Sequence, residues 1–222
     1  MDRLVLVQKV HDILEHAGFQ LTETCVFRTI GFDIIARKNK TLLIVKVLTN
    51  VDSLSEEAAH DLKKLASVLN ASLLLIGERD GTSWLDDDVV YYRYGVQTIT
   101  LNTLKNHLIE EIPVHVYAAP GGFYVRLNGE KIREIREQKK LSRGDLARMI
   151  HVSRRAIRMY EEGMDARVEI AAQMEEILHP SVLNPLDLLK PVDKTEEKAT
   201  VKETPWLYGF QKEVLSLIEK IG

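Results

Sequence analysis

Residues 129 to 160 carry ten Lys and Arg against four Asp and Glu, a local excess of positive charge in a chain whose formal net charge is -3. Clustered cations of this kind are the electrostatic footprint of a phosphate-facing surface, because each phosphate they neutralise releases condensed counterions. Arginine adds geometry to charge, since its planar fork matches paired acceptors such as guanine O6 and N7. Residues 1 to 118 lack this bias, with 12 Lys and Arg against 16 Asp and Glu. Other chemistries are poorly supplied. His11 and His16 are five apart and do not share a helix face as a ligand pair would, so both read as surface residues. Gly121-Gly122 is followed by Phe123 and Tyr124 with no Gly-Lys-Ser/Thr, which makes it a turn and not a phosphate loop. The run Asp86-Asp87-Asp88 reads as a solvated loop. The single Cys25 cannot form an intrachain disulfide or supply a zinc finger, so a cytosolic, metal-free and cofactor-free protein is expected.

The elements that position these residues fall into two groups. At 222 residues, 45% hydrophobic and 28% charged, the chain has material for two buried cores. No uninterrupted apolar run has the length of a signal peptide or membrane span, given Asp2, Arg3, Lys9 and His11 near the start, so no membrane partner is expected. Leu6, Val10, Ile13, Leu14 and Ala17 recur at helical spacing between Arg3 and Ala17, before Gly18. Three extended stretches follow: Gln20 to Arg28, Gly31 to Arg37 and Thr41 to Leu48, the last two joined by Lys38-Asn39-Lys40. Ser53 to Leu69 is helical, with Ser53 and Glu56 as its capping box, and Ser72 to Ile76 is a strand. The order is α-β-β-β-α-β. Strands Val89 to Tyr94 and Val96 to Thr100 and a helix from Thr103 to Ile109 come next. Val114 to Ala118 and Phe123 to Leu127 then flank Ala119-Pro120-Gly121-Gly122 as a hairpin.

Beyond the hairpin lie three closely spaced helices: Gly129 to Gln138, Ser142 to Ile150 and Ser153 to Glu162. Ser142 and Asp145 form a capping pair, and Leu146, Ala147 and Ile150 make an inward stripe that Val152 and Ile157 continue. Small Ala147 suits a sharp helix crossing. The stretch LSRGDLARMIHVSRRAIRMYEEG, from Leu141 to Gly163, resembles the Cro/cI-type helix-turn-helix family in its Leu-Ser opening, Leu-Ala pair, Val-Ser turn exit and terminal Glu-x-Gly. The resemblance extends over the preceding KIREIREQKK helix and later helices at Val168 to Leu178 and Leu183 to Leu189, implying a five-helix lambda-repressor-like domain. His151 stands where the family has glycine, and His tolerates the positive φ that turn requires. The resemblance implies a recognition helix whose first residues meet base edges in the major groove of double-stranded DNA, bound as a homodimer. Carried onto this chain, Arg154 and Arg155 contact bases and Met159 meets a thymine methyl, while Arg143, Ser153 and Arg158 hold phosphate.

GFDIIARKNKTLLIVKV, at the centre of the α-β-β-β-α-β order, resembles the restriction-endonuclease and Holliday-junction-resolvase core. Those enzymes hold a divalent metal between an aspartate and an acidic-x-lysine pair. Asp33 and Lys46 fit two of the places, but the third is Ile44, whose aliphatic side chain cannot ligate a hard cation. Asp33 is therefore read as a turn cap and Lys46 as a sheet-edge residue, in a fold that has outlived its chemistry. The whole arrangement resembles archaeal helix-turn-helix regulators with a degenerate restriction-endonuclease-like domain ahead of the DNA reader.

The expected organisation is an α/β nuclease-like domain over 1–112, a hairpin connector over 113–128, the helix-turn-helix domain over 129–190, a linker over 191–204 and an amphipathic helix over 205–222. The last segment echoes the first helix, Val214-x-x-Leu217-Ile218-Glu219 against Val10-x-x-Ile13-Leu14-Glu15, which suggests a chain cut short as a second copy of the N-terminal fold begins. The expected function is a sequence-specific DNA-binding transcriptional regulator and not an enzyme. Two alternatives are a Mg-dependent nuclease using Asp33 and Lys46 and a coactivator that bridges proteins. No residue pattern identifies a small-molecule effector.

Overall fold

Asp2 accepts a hydrogen bond from the Leu4 N–H at 2.8 Å and so caps α1 (Arg3–His16), whose Leu6, Val7, Val10 and Leu14 form a buried stripe. In this computed structural model, which describes residues 2–22 and 31–193, the helix packs on one face of a mixed sheet. The sheet runs β1 (Gln20–Leu21), β2 (Ile34–Lys38), β3 (Thr41–Asn50), β4 (Ser72–Asp80), β7 (Val96–Ile99), with β5 (Ser83–Trp84) pairing β4 as a short hairpin. Strands β1–β2–β3 are antiparallel and β3, β4 and β7 are parallel, with Ile44 opposite Leu73 and Leu75 opposite Thr98. The β3-to-β4 crossover is α2 (Glu56–Leu69). Consecutive residues of β3 and β4 are buried, Leu43 to Val45 and Ser72 to Gly77, as expected where a parallel sheet is covered on both faces. These elements and α3 (Leu101–Leu108) belong to the first of two compact units, made of the described residues within Met1–Asp88, Tyr92–Ile112 and Asp187–Gly222.

Several expectations shift here. The α2 cap is Ser55, whose hydroxyl accepts from the Ala58 N–H at 3.1 Å. Ser53 instead lies in a 3-10 turn and donates to the Asn50 carbonyl at 2.6 Å, so the expected Ser53–Glu56 box is corrected. The second strand starts at Ile34 and not at Gly31, and β4 continues four residues past Ile76. Of the stretch Gln20 to Arg28 only the first residues are described; the remainder, with Cys25, lies outside the described residues. Asp86-Asp87-Asp88 is exposed but not idle: Asp87 accepts from the hydroxyl of Thr100, which caps α3, and Asp88 accepts from Asn106 at 3.1 Å. Val192, at the start of the expected linker, donates its N–H to Ala71 at 3.0 Å. The remainder of that segment from residue 194 on, and the expected C-terminal helix, lie outside the described residues.

The second unit comprises Val89–Tyr91 and Pro113–Leu186. The first two residues of β6 (Val89–Arg93) pair with β8 (Val116–Ala119), which forms a hairpin with β9 (Gly122–Val125) through Pro120 and Gly121. Four helices follow, α4 (Gly129–Gln138), α5 (Arg143–Met149), α6 (Arg154–Glu161) and α7 (Val168–Ile177), with β10 (Ala166–Arg167) inserted before the last and paired to β9. Ile132, Leu146, Ala147, Ile150, Ile157, Met174 and Val182 form their common core, with Val152 packed against it. The expected fifth helix over Leu183 to Leu189 is absent. Pro185 disfavours helical backbone at Asn184, and the segment instead bridges strand-like to the start of the domain, Leu183 opposite Leu127, with the Leu186 N–H donated to Val114 at 2.7 Å. Among the described residues no helix is long and apolar enough to cross a membrane.

Candidate nucleic-acid interface

Ser142 starts α5 with a complete capping box: its hydroxyl accepts from the Asp145 N–H at 3.1 Å and the Asp145 carboxylate accepts from the Ser142 N–H at 2.9 Å. The Ser142 hydroxyl and N–H, with Arg148 beside them, hold the Asp145 carboxyl below the ordinary carboxylate value. The helix ends at a turn in which His151 takes φ 53, the left-handed conformation expected there. Ser153 then caps α6, accepting from the Ala156 N–H at 3.0 Å.

The eight residues of α6 divide cleanly. Ile157 and Tyr160 are buried, and that burial raises the Tyr160 phenol above its ordinary value. Arg154, Arg155, Arg158 and Met159 are exposed and, at i, i+1, i+4 and i+5, share the opposite face. Arg158 pairs with Glu162 at 2.7 Å, which holds its proton more tightly and covers part of its charge. Arg154 and Arg155 differ: among the described residues neither has an ion pair or hydrogen-bond partner for its side chain. They stand on the first turn, where the helix dipole and unsatisfied N–H groups add to their charge. Met159 is 37% exposed, so its side chain belongs to this face and not to the core.

Arg143 points elsewhere than a wholly free phosphate ligand would. Its Nε donates to Glu161 Oε2 at 2.6 Å, while the buried Arg136 donates to Oε1 of the same carboxylate at 2.7 Å and to the Leu141 carbonyl at 2.8 Å. The Glu161 side chain is 3% exposed, Arg136 8% and Arg143 37%. One buried carboxylate therefore fastens the end of α6 to both preceding helices. Gly129 brings α4 and α6 together: a Cβ there would lie 2.8 Å from the Glu161 carbonyl carbon and 2.9 Å from the Tyr160 oxygen. Neither Glu161 nor Arg136 was singled out from sequence. The available signal was Arg136 four residues after the core Ile132, a charge on an inward stripe, which needs a buried partner.

In the first unit, Asp33 and Lys46 do meet. Lys46 Nζ lies 3.6 Å from Asp33 Oδ2, which also accepts the Val47 N–H at 2.7 Å. Lys46 is on β3, between β2 and β4, so the reading of it as a sheet-edge residue is corrected. Asp33 is likewise more than a turn cap, because its Oδ1 is bonded to the Arg3 guanidinium. Ile44, two residues before Lys46, is fully buried. With one carboxylate, already bound by two cations, and an aliphatic residue in the second place, these residues do not fit a catalytic divalent ion. Among the described residues no cluster of three or more His, Cys, Asp or Glu is placed to hold a metal.

Two family models match the chain in succession: a PD-(D/E)XK superfamily domain over residues 3–114 and a helix-turn-helix over residues 132–179. Relatives match across both. A protein of Archaeoglobus fulgidus is 42% identical over 217 residues, covering 98% of this chain and 69% of the relative. One of Methanocella arvoryzae is 39% identical over 224 residues, covering 100% and 69%. One of Methanosarcina barkeri is 38% identical over 229 residues, covering 100% and 70%. All three are provisionally named HTH-type transcriptional regulatory proteins. No solved structure matches the chain. Identity at this level over essentially the whole chain, with a PD-(D/E)XK superfamily domain preceding a capped helix-turn-helix, makes the chain a member of this family of archaeal HTH-type transcriptional regulatory proteins.

Proposed function

We propose that the protein is a transcriptional regulator that binds double-stranded DNA sequence-specifically through α6. The observation that carries the reading is that, among the described residues, Arg154 and Arg155 have no side-chain partner on the first turn of a capped, exposed helix, while Arg136, Arg143 and Arg158 are engaged by carboxylates. In this reading Arg154 and Arg155 take guanine edges and Met159 packs on a thymine methyl. Ser153 and the outer nitrogens of Arg143 take phosphate, with Glu161 aiming Arg143, and Arg158 adds a phosphate contact by exchanging Glu162 for the backbone. A homodimer on paired half-sites and a cytoplasmic setting complete the proposal. The domain limits that go with it are 1–112 for the nuclease-like part, 113–128 for the connector and 129–190 for the reader, followed by a linker and a helix.

The test is to select bound DNA fragments with the full chain and to measure affinity for the selected site as salt is varied. Arg154→Ala and Arg155→Ala are each expected to weaken that site by about 1–3 kcal/mol and to relax preference at one base position. Unchanged affinity and preference in both variants would refute the assignment. Absence of any salt-sensitive binding would favour the protein-bridging reading instead.

A further inference from the structure

We infer that Arg3 is a built-in cation standing where the PD-(D/E)XK arrangement uses a divalent metal, so that the first unit is closed by its own side chains and takes up no metal ion at Asp33. Asp33 is 7% exposed, and a carboxylate so placed must be paired. Its Oδ1 meets the Arg3 guanidinium, and its Oδ2 meets the Val47 N–H and Lys46. Arg3 also donates through Nε to the Val47 carbonyl at 3.1 Å. One guanidinium thus ties the first turn of α1 to both Asp33 and β3, joining separate elements as a bridging ion joins its ligands.

A divalent ion needs the opposite charge balance. It takes six or more oxygen ligands, with carboxylates supplying the compensating charge. Here two cations already face one carboxylate, so a metal would enter a partly desolvated site with positive charge in excess. The place of a second carboxylate is taken by the wholly buried Ile44. The sheet and the Asp33–Lys46 pair persist, and the ion's electrostatic role has passed to residue 3.

The experiment uses the full chain with Mn²⁺ as probe, read by loss of the free-ion electron paramagnetic resonance signal and by melting in chelator and in Mn²⁺. The native protein is expected to take up no Mn²⁺ up to about 10⁻³ M, the weak end of protein sites, and to melt identically in both media. Arg3→Gln is expected to melt lower in both. Arg3→Gln combined with Ile44→Glu removes the cation and supplies the second carboxylate; it is expected to bind Mn²⁺ at least about tenfold more tightly than the native chain and to lose that binding on Asp33→Asn. Three results overturn the inference: Mn²⁺ uptake by the native chain that Asp33→Asn abolishes, an unchanged melt of Arg3→Gln, or a folded double variant that binds no Mn²⁺. Should the double variant not fold, the native titration and the Arg3→Gln melt still decide, each by the overturning result just named for it.

Discussion

Replacing Glu161 by alanine tests whether the buried carboxylate organises the helix-turn-helix. The side chain accepts from Arg136 at 2.7 Å and from Arg143 at 2.6 Å. Its removal affects the two arginines unequally. Arg143, 37% exposed, turns into water, so its share of the loss is small. Arg136, 8% exposed, cannot follow it. Stripping one partner from a buried pair costs about 3–5 kcal/mol, since the remaining charge is left desolvated. The Leu141 carbonyl and the exposed Glu137, 3.3 Å from Arg136 Nη2, still hold part of the guanidinium, which places the expectation at the lower end, about 3 kcal/mol. For a domain of this size that is a fall of roughly 12 °C or more in melting temperature. Amide hydrogen exchange of the full chain localises the change: α4 to α6 should lose protection, while β3 and β4 in the other unit serve as internal controls. Arg136→Met with Glu161→Leu removes charge and partner together and should recover most of what Glu161→Leu alone loses. A loss below about 1 kcal/mol for Glu161→Ala, or a double variant no better than the single one, would refute the reasoning.

Gly129→Ala forces a methyl against the backbone of residues 160 and 161, which cannot rotate away, so a loss of at least about 1–3 kcal/mol in denaturant unfolding is expected. His151 adopts φ 53, so His151→Gly should stabilise by up to about 1 kcal/mol, read as a higher urea midpoint with an unchanged slope. The Asp145 carboxyl is held below its ordinary 3.8 by the Ser142 hydroxyl first and the Ser142 N–H second. The charged form is thus favoured by folding: its stabilisation is fully present above that ordinary value and is lost as pH falls through the lower folded value. Asp145→Asn should accordingly flatten the acid limb of a stability-against-pH curve and leave the neutral region lower than in the native protein.

Local signals carried the sequence reading where a short stretch contains both partners of an interaction. Ser142 and Asp145 are three residues apart and their box is present. The LSRGDLARMIHVSRRAIRMYEEG motif holds its own turn, caps and core, so α5, α6 and the conformation of His151 were legible from it. Reading failed where partners are distant. The pairing of Leu127 with Leu183 turned an expected helix into a bridge, because backbone donors at 184 and 186 found acceptors at 126 and 114. The ends of helices were misjudged by a residue or two where two serines compete as caps, as at Ser53 and Ser55. Arg136–Glu161 and Arg3–Asp33 each join residues far apart in sequence, and no local period announces a long-range ion pair.

The strand-like clasp across residues 126–128 and 182–184 has a consequence for synthesis. The Asn128 N–H is donated to Val182, the Asn184 N–H to Arg126, and the Asn184 side-chain amide to Leu127, a link spanning 57 positions. Entry and exit of the helical unit therefore lie side by side. On the ribosome α4 to α6 are all present once residue 161 has emerged, but the core residues Met174 and Val182 and the clasp that shuts the unit wait for residues up to 184. Adjacent ends also mean that the chain enters and leaves the helical bundle only a strand's width apart, so a change of length in either flanking segment need not displace the other.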